Sequence, residues 1–183
     1  MTRRRVRPAY SDEDLAALYG ARYDHTRWPD HRIRVDATAA LIHAFAGPVG
    51  RAADLSCGDG AILARIHAAE KVHGDLTPGW ELTGPCQDTI TALDPVDLLV
   101  CSETLEHLDD PDAYLAAARG KAATLVLSTP MDEPDPDTNP EHYWAWGADD
   151  VEQMLRAAGW CPNVMTRLYL SHFYCDYQLW IAR

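Results

Sequence analysis

The heptapeptide DLSCGDG (residues 54–60) constrains the fold more than any other part of the sequence. A short apolar run ends there in Asp54, and a turn that contains Gly58 and Gly60 leads into a helical pattern. This order of strand, glycine turn and helix is typical of Rossmann-type sheets that hold a nucleotide-like ligand. An acid placed before the glycines can accept hydrogen bonds from a cationic ligand, whereas a dinucleotide motif presents backbone amides to phosphate. The heptapeptide therefore predicts a ligand that is positively charged near this turn.

Strand and helix patterns alternate from residue 50 onward, which predicts a parallel α/β sheet. Strands are predicted at residues 52–57, 71–76, 80–84, 97–102 and 123–128, and helices at 60–69, 111–119 and 149–158. Only residues 77–79 separate the second strand from the third, although a parallel crossover normally needs about a dozen residues. Segments 164–170 and 178–182 are expected to close the sheet as an antiparallel hairpin. We therefore predict a Rossmann-like, mostly parallel sheet with one crossover helix shortened or missing and a C-terminal antiparallel strand.

Residues 11–49 are predicted to form a helical cap on one single domain that covers residues 1–183. Helices are expected at residues 12–20 and 31–45, and the core at 50–183. The arginine-rich tail, residues 1–10, is expected to be flexible. The histidine- and aromatic-rich stretch 23–31 is a candidate lid.

The net charge of the chain indicates which classes of binding partner are favoured. A net charge of −12 repels phosphate backbones, so long nucleic acid is disfavoured and a small-molecule acceptor is favoured. The basic start is followed by polar residues and not by an apolar run, so we expect neither a signal peptide nor a membrane anchor, and a cytoplasmic protein. The five cysteines form no C-x-x-C pair, which predicts free thiols. The oligomeric state stays open.

From residue 50 to its end, the sequence resembles the class I S-adenosylmethionine-dependent methyltransferases. Residues 54–60 look like the first motif of that family, acid-x-Gly-x-Gly-x-Gly, with Ser56 in place of the first glycine. The resemblance implies that S-adenosylmethionine is the cofactor. It also implies that Ser56, Gly58 and Gly60 let the backbone approach the methionine part, and that Asp54 meets the amino group directly or through water.

Three further residues are implied as cofactor contacts. Asp75, at the end of the second predicted strand, matches the family acid that accepts both ribose hydroxyls, for which a carboxylate is well suited. Asp88 falls where a family carboxylate accepts the adenine amino group, and Ser102 ends the strand 97–102. The alternative for both aspartates is a turn residue without a ligand.

A cluster of ionisable residues follows the strand 97–102, at the sheet edge where open α/β sheets bind ligands. If the chain is helical there, Glu103, Glu106 and His107 are spaced i, i+3 and i+4 and share one face. Two carboxylates and an imidazole form either a metal site or an acid–base cluster. The alternative is that His107 packs under the sheet edge and the glutamates are solvated.

A second histidine, His142, lies in an aromatic segment before the last helix. The E-x-x-E-H run of residues 103–107, followed by this histidine, resembles the small-RNA 3′-end 2′-O-methyltransferases, and the run alone resembles ubiquinone-type O-methyltransferases. The first resemblance implies that Glu103, Glu106, His107 and His142 hold Mg²⁺ or another divalent ion. Tyr143, Trp144 and Trp146 are either pocket walls or core. The acids of the loop 130–140, Glu133 among them, are expected to be solvated.

These observations predict an enzyme that transfers a methyl group from S-adenosylmethionine to a hydroxyl of a small molecule. His107, oriented by Glu103 or Glu106, would remove the hydroxyl proton, or a divalent metal would lower the hydroxyl pKa. The first alternative is metal-dependent 2′-O-methylation of an RNA 3′ end. The second is a partner subunit that binds S-adenosylmethionine without catalysis.

Overall fold

A computed structural model describes residues 2–21, 25–135 and 139–183 of the chain. Its strands are β1 (Arg4–Arg5), β2 (Arg51–Asp54), β3 (Glu70–Asp75), β4 (Leu82–Thr83), β5 (Val96–Ser102), β6 (Ala122–Met131), β7 (Trp144–Ala145), β8 (Pro162–Leu168) and β9 (Asp176–Ala182). Its α-helices are α1 (Asp12–Tyr19), α2 (His31–Phe45), α3 (Ala61–Arg65), α4 (Cys86–Ala92), α5 (Pro111–Arg119) and α6 (Ala148–Ala157).

Seven strands form the main sheet in the order β4-β3-β2-β5-β6-β9-β8. The neighbours from β4 to β6 are parallel, and β9 runs antiparallel to both β6 and β8. The central strands β5 and β6 contain the buried apolar runs 98–101 and 125–127, as expected where helices cover both faces of a sheet. The sheet confirms the predicted Rossmann-like α/β fold with a C-terminal antiparallel strand.

Successive residues of each central strand point into two different apolar clusters. Ala53, Leu99 and Leu125 belong to the cluster that includes residues of α4, α5 and α6. Ala52, Leu98 and Val126 belong to the cluster that includes residues of α2 and α3. This alternation with a period of two residues places a helical layer on each face of the sheet.

The connection from β3 to β4 lacks a crossover helix, as predicted. Residues 76–81 join the two strands, which pair in parallel with Gly74 opposite Leu82 and Asp75 opposite Thr83. Gly84 N donates to Asp75 O at 3.0 Å, and α4 begins directly afterwards. The short connection therefore keeps the end of β3 close to the start of α4.

The N-terminal residues pack against strand β7 and helix α5. Helix α1 begins with a capping box between Ser11 and Asp14, and α2 has the predicted bounds. Strand β1 pairs antiparallel with β7, and Arg3 forms an ion pair of 2.7 Å with Asp112. Arg3 also stacks over Trp144, with its guanidinium carbon 4.5 Å from the ring centroid. These contacts differ from the predicted flexible tail, because Trp144 and Asp112 of α5 lie within reach of Arg3.

In the part of the chain that the structure describes, no helix combines the length and the apolar character needed to cross a bilayer.

Candidate active site

A cavity of about 230 Å³ lies at the carboxyl ends of β2, β3 and β5, under the N-terminal helices. Its wall from the cap includes Tyr19, His25, Trp28 and Arg34, and its wall from the sheet edge includes Ser56, Gly58 and Asp75. This edge is where open α/β sheets bind their ligands. The cavity therefore joins the predicted cofactor motif to the cap.

The turn after β2 depends on its glycines. Gly58 and Gly60 have φ angles of +54° and +73°, in the left-handed region that favours glycine. A Cβ at Gly58 would lie 2.4 Å from Nε2 of His25, so a side chain there would also collide with the cap. The backbone of Gly58 therefore lies at the cavity wall without a side chain.

Asp75 and Asp54 lie on either side of this turn. The Asp75 carboxylate accepts hydrogen bonds from Gly58 N and Thr77 N, both at 2.8 Å, and it lines the cavity. Asp54 is 3% exposed behind the turn and accepts one hydrogen bond, from Ser56 N at 3.2 Å. Burial, together with the nearby Asp75 and Asp59 carboxylates, raises the pKa of Asp54 to about 7.

Four predicted cofactor residues do not line the cavity: Asp54 and Gly60, at the two ends of the glycine turn, and Asp88 and Ser102. Asp88 is exposed in the first turn of α4, while Pro85, Cys86 and Gln87 line the wall there. The Ser102 hydroxyl bonds to the Ser128 hydroxyl at 2.7 Å. The hydroxyls of Ser56 and Thr104, 2.5 Å apart, lie at the wall in its place. The expected cofactor contacts of Asp88 and Ser102 therefore lack support from the geometry, because α4 and the turn after β5 direct other residues inward.

The turn after β5 is not an α-helix. Glu103 has a φ of +52°, and a single 3-10 turn follows at Leu105–His107. The three ionisable residues therefore do not share a helix face. Glu103 accepts a hydrogen bond from Ser128 Oγ at 2.7 Å and lies 3.4 Å from the Arg34 guanidinium.

Glu106 points into the protein and is 1% exposed. Its Oε2 accepts a hydrogen bond from Thr129 Oγ1 at 3.0 Å, and Trp146 Nε1 donates to the same hydroxyl at 3.0 Å. Its Oε1 is buried and has no hydrogen-bond partner among the described residues. Burial, with Glu103 nearby, raises the pKa of Glu106 well above the usual value. A buried carboxyl of this kind stays neutral unless a cation or another donor reaches it.

His107 is held by the main chain. Its Nδ1 donates to the carbonyl oxygen of Glu141 at 2.9 Å, and a carbonyl can only accept. The neutral ring therefore carries its proton on Nδ1 and a lone pair on Nε2. Burial, assisted by the neighbouring His142, lowers the pKa of His107 to about 3, so the ring is neutral at physiological pH.

His142 is held by side chains. Its Nδ1 lies 3.0 Å from both carboxylate oxygens of Glu133, and Asn139 Nδ2 lies 3.0 Å from its Nε2. Glu133 is 1% exposed and also accepts a short hydrogen bond from the Tyr174 hydroxyl. The prediction that Glu133 is solvated was wrong, because Asp132, with a φ of +49°, turns the chain inward after β6.

Three of the four predicted metal ligands come together. Ligand atoms of Glu106, His107 and His142 lie within 4.8 Å of one another, and the partnerless Oε1 of Glu106 belongs to this group of residues. One carboxylate and two imidazoles suit divalent transition metals. Glu103 stays outside the group, since it pairs with Arg34 and Ser128.

No protein-family model matches this sequence, and no curated protein matches it either. Solved structures do match in fold. The 1,6-didemethyltoxoflavin-N1-methyltransferase of Burkholderia thailandensis, solved with 1,6-didemethyltoxoflavin and S-adenosylhomocysteine, has a TM-score of 0.67 at 18% identity over 97% of this chain and 92% of its own. The N-methyltransferase NodS of Bradyrhizobium japonicum, in complex with S-adenosylhomocysteine, has a TM-score of 0.70 at 19% identity over 93% of this chain and 96% of its own.

The magnesium protoporphyrin IX methyltransferase of Synechocystis, also with bound S-adenosylhomocysteine, has a TM-score of 0.64 at 16% identity over 93% of each chain. The fold is that of the S-adenosylmethionine-dependent methyltransferases. At these identities the likeness concerns the fold, and the activity of this chain has to be argued from its own residues.

Proposed function

We propose that this chain transfers the methyl group of S-adenosylmethionine to a hydroxyl oxygen of a small molecule. The observation that carries the proposal is the lone pair on Nε2 of His107, which lines the same cavity as Gly58 and Asp75. When bound, S-adenosylmethionine supplies a methyl group already activated by its sulfonium charge. The chain then has to orient the acceptor, exclude water and receive a proton.

The residues around the glycine turn fit this cofactor. Gly58 and Gly60 hold the left-handed backbone of this turn, and Ser56 and Gly58 line the cavity. Each Asp75 oxygen accepts one backbone N–H and keeps a further lone pair for a ribose hydroxyl. Asp54, behind the turn, would meet the cofactor's ammonium directly or through water, and a positive charge there would favour its ionised form.

His107 would receive the hydroxyl proton at Nε2. The depressed pKa keeps this lone pair available over the whole neutral range. It also makes the ring a weak base, but the acceptor oxygen becomes strongly acidic as its bond to the methyl carbon forms, so a weak base is sufficient at that stage. The carbonyl of Glu141 orients the ring, in place of the Glu103 or Glu106 carboxylate that the sequence suggested.

A small acceptor with a flat or apolar body suits the cavity. Rings of Tyr19, Trp28, Tyr143 and Tyr177 line it, and aromatic walls favour flat ligands. The net charge of −12 disfavours a phosphate backbone. The toxoflavin methyltransferase, which has this fold, was solved with a small heterocyclic compound, which agrees with a small acceptor here.

A metal-dependent version of the same reaction is the second candidate, because ligand atoms of Glu106, His107 and His142 converge. The partnerless buried oxygen of Glu106 and two imidazoles fit Mg²⁺ less well than a transition metal such as Mn²⁺ or Zn²⁺. When bound, such an ion would lower the pKa of a hydroxyl that it contacts. The hydroxyls could be those of a small diol or of an RNA 3′ end.

Calorimetry and a methyl-transfer assay test these proposals together. We expect S-adenosylhomocysteine to bind at one site, and labelled S-adenosylmethionine to methylate members of a panel of hydroxyl compounds. Activity that survives EDTA favours His107 alone, and activity that EDTA abolishes and Mn²⁺ restores favours the metal. Binding without transfer to any compound, including an RNA 3′ end, would indicate the alternative of a non-catalytic partner subunit. The absence of binding would contradict all three.

A further inference from the structure

Glu133 is a buried acid with no role in the reaction described above. It follows Asp132, whose backbone N donates to Trp146 O at 3.0 Å and whose left-handed conformation turns the chain toward the interior. Only 1% of Glu133 is exposed. A carboxylate in such a place is costly unless its oxygens accept hydrogen bonds, so its partners indicate what it does.

Two donors from different parts of the chain meet this carboxylate. Nδ1 of His142 lies 3.0 Å from each oxygen, and the Tyr174 hydroxyl donates a short hydrogen bond to Oε1. Tyr174 belongs to the connection between β8 and β9, whereas His142 precedes β7. The Glu133 carboxylate therefore links the loop after β6 by hydrogen bonds to the segment before β7 and to the connection between β8 and β9.

These contacts determine the protonation of His142. Because a carboxylate accepts, the ring carries its proton on Nδ1, and Nε2 keeps the lone pair. Asn139 agrees with this assignment, since its Oδ1 accepts from Glu141 N at 3.0 Å and its Nδ2 then points to His142 Nε2 at 3.0 Å. The His142 ring also packs edge-on against His107, with 5.0 Å between centroids.

We propose that Glu133 is a positioning residue for the methyl transfer, which fixes both the ring orientation and the tautomer of His142, and that Tyr174 holds Glu133 in place. The inference rests on the proposed function, because it puts His142 on the acceptor side of the same cavity. The carboxylate acts through His142, as the orienting acid does in hydrolase triads, and touches no substrate itself. Without it, a fraction of the molecules would carry the proton on Nε2, where it would meet the Asn139 amide N–H, and the His142 ring would lose its fixed orientation beside His107.

The test combines kinetics with a spectroscopic measurement that needs no activity. Two-bond ¹H–¹⁵N correlation spectra of histidine-labelled protein report which ring nitrogen of His142 carries the proton, and a His142→Gln variant assigns the signals. We expect Nδ1–H in the wild type and a mixture or reversal in Glu133→Gln. We also expect kcat to fall by about 10–100-fold, the usual effect of removing such a partner. The dissociation constant for S-adenosylhomocysteine should stay within about twofold.

Glu152→Gln is the matched control, because Glu152 lies on α6 and, among the described residues, forms an ion pair with Arg156 in an exposed i,i+4 contact at 2.7 Å. It should change neither the spectrum nor kcat. An unchanged His142 tautomer in Glu133→Gln, or a changed tautomer with unchanged kcat, would overturn the inference. If Glu133→Gln does not fold, Tyr174→Phe replaces it: a lower kcat with unchanged binding supports the inference, and an unchanged kcat overturns it.

The two proposals can fail separately. If the wild type methylates no hydroxyl, the proposed function is contradicted. If Glu133→Gln then still loses the Nδ1–H tautomer of His142, the structural part of the inference is supported. A wild-type protein that is active and shows His142 protonated on Nε2 would contradict the inference alone.

Discussion

The two ends of the cavity are built in different ways. At the cofactor end, a continuous turn of residues 54–60 and the end of β3 supply the main groups, and most of their contacts are with backbone amides. At the proposed acceptor end, three segments supply Glu106 with His107, Glu133 and His142, and hydrogen bonds to other segments hold these residues. A site made from one turn can be recognised in a sequence, whereas a site made from several loops depends on how those loops fold. Substitutions at the two ends should therefore affect binding and turnover separately.

The largest expected effect is on turnover, at the acceptor end. His107→Ala should lower kcat by about 10²–10⁴-fold if Nε2 receives the proton, because that is the usual contribution of a general base. The dissociation constant for S-adenosylhomocysteine should change by less than about twofold. Steady-state kinetics and calorimetry on the same preparation measure both. An unchanged kcat would remove His107 from the reaction.

Next in size is the loss of cofactor binding when the glycine turn is altered. Gly58→Ala adds a methyl group 2.4 Å from His25 at a φ of +54°, so we expect at least about tenfold weaker binding, equivalent to about 1.4 kcal/mol. Calorimetric titration with S-adenosylhomocysteine measures the change.

Gly47→Ala is the control for backbone strain. Gly47 has a φ of +78° but nothing within 4 Å of its Cβ position, and it lies after α2, outside the cavity. It should lower the unfolding free energy by about 1–2 kcal/mol without a change in cofactor affinity. Equal binding losses in both variants would show that strain, and not the cavity, is responsible.

A substitution at Asp54 is expected to change stability and cofactor binding in opposite directions. Its pKa is raised from 3.8 to about 7, so between those values the folded protein holds a proton that the unfolded chain releases. The unfolding free energy of the wild type therefore falls as pH rises through this range. Asp54→Asn should be more stable at pH 8, by up to about 4 kcal/mol, and equally stable near pH 4.

The same substitution should weaken cofactor binding, because the amide cannot compensate an ammonium charge. Thermal unfolding at both pH values and calorimetry at pH 8 measure the two effects. A variant that is less stable than the wild type at pH 8 would contradict the assignment of a buried, desolvated carboxylate.

The smallest effect is expected at Asp88 and Ser102, for which the family resemblance implied cofactor contacts but which do not line the cavity. Asp88→Asn and Ser102→Ala should each leave the dissociation constant for S-adenosylhomocysteine within about twofold of the wild-type value. Asp75→Ala is the positive comparison. Weaker binding in Asp88→Asn alone would restore its predicted contact with adenine.

The two ends of the cavity also differ in how well they could be predicted from the sequence. The apolar runs of β5 and β6, the Ser11 capping box and the glycine turn are local patterns, so the fold and the position of the turn could be predicted. The acceptor end could be predicted only as residue types. Glu103 lies outside the cluster because its left-handed backbone leads into a 3-10 turn, which spacing alone does not reveal.

Glu133 shows the limit more clearly. Its loop is acidic and rich in proline, a composition that usually indicates solvent exposure, yet two distant donors, His142 and Tyr174, bury the carboxylate. Only the tertiary contacts bring those donors together. The short strands β1 and β7 likewise form through pairing between the two distant segments, which no local pattern indicates.

The most direct test of the central claim, that one cavity binds S-adenosylmethionine and the histidine cluster acts beside it, is calorimetric titration of S-adenosylhomocysteine into the wild type, Asp75→Ala and His107→Ala. We expect saturable binding at one site in the wild type, binding at least about tenfold weaker in Asp75→Ala, and wild-type affinity in His107→Ala. No binding to the wild type, or equal affinities for all three proteins, would contradict the account.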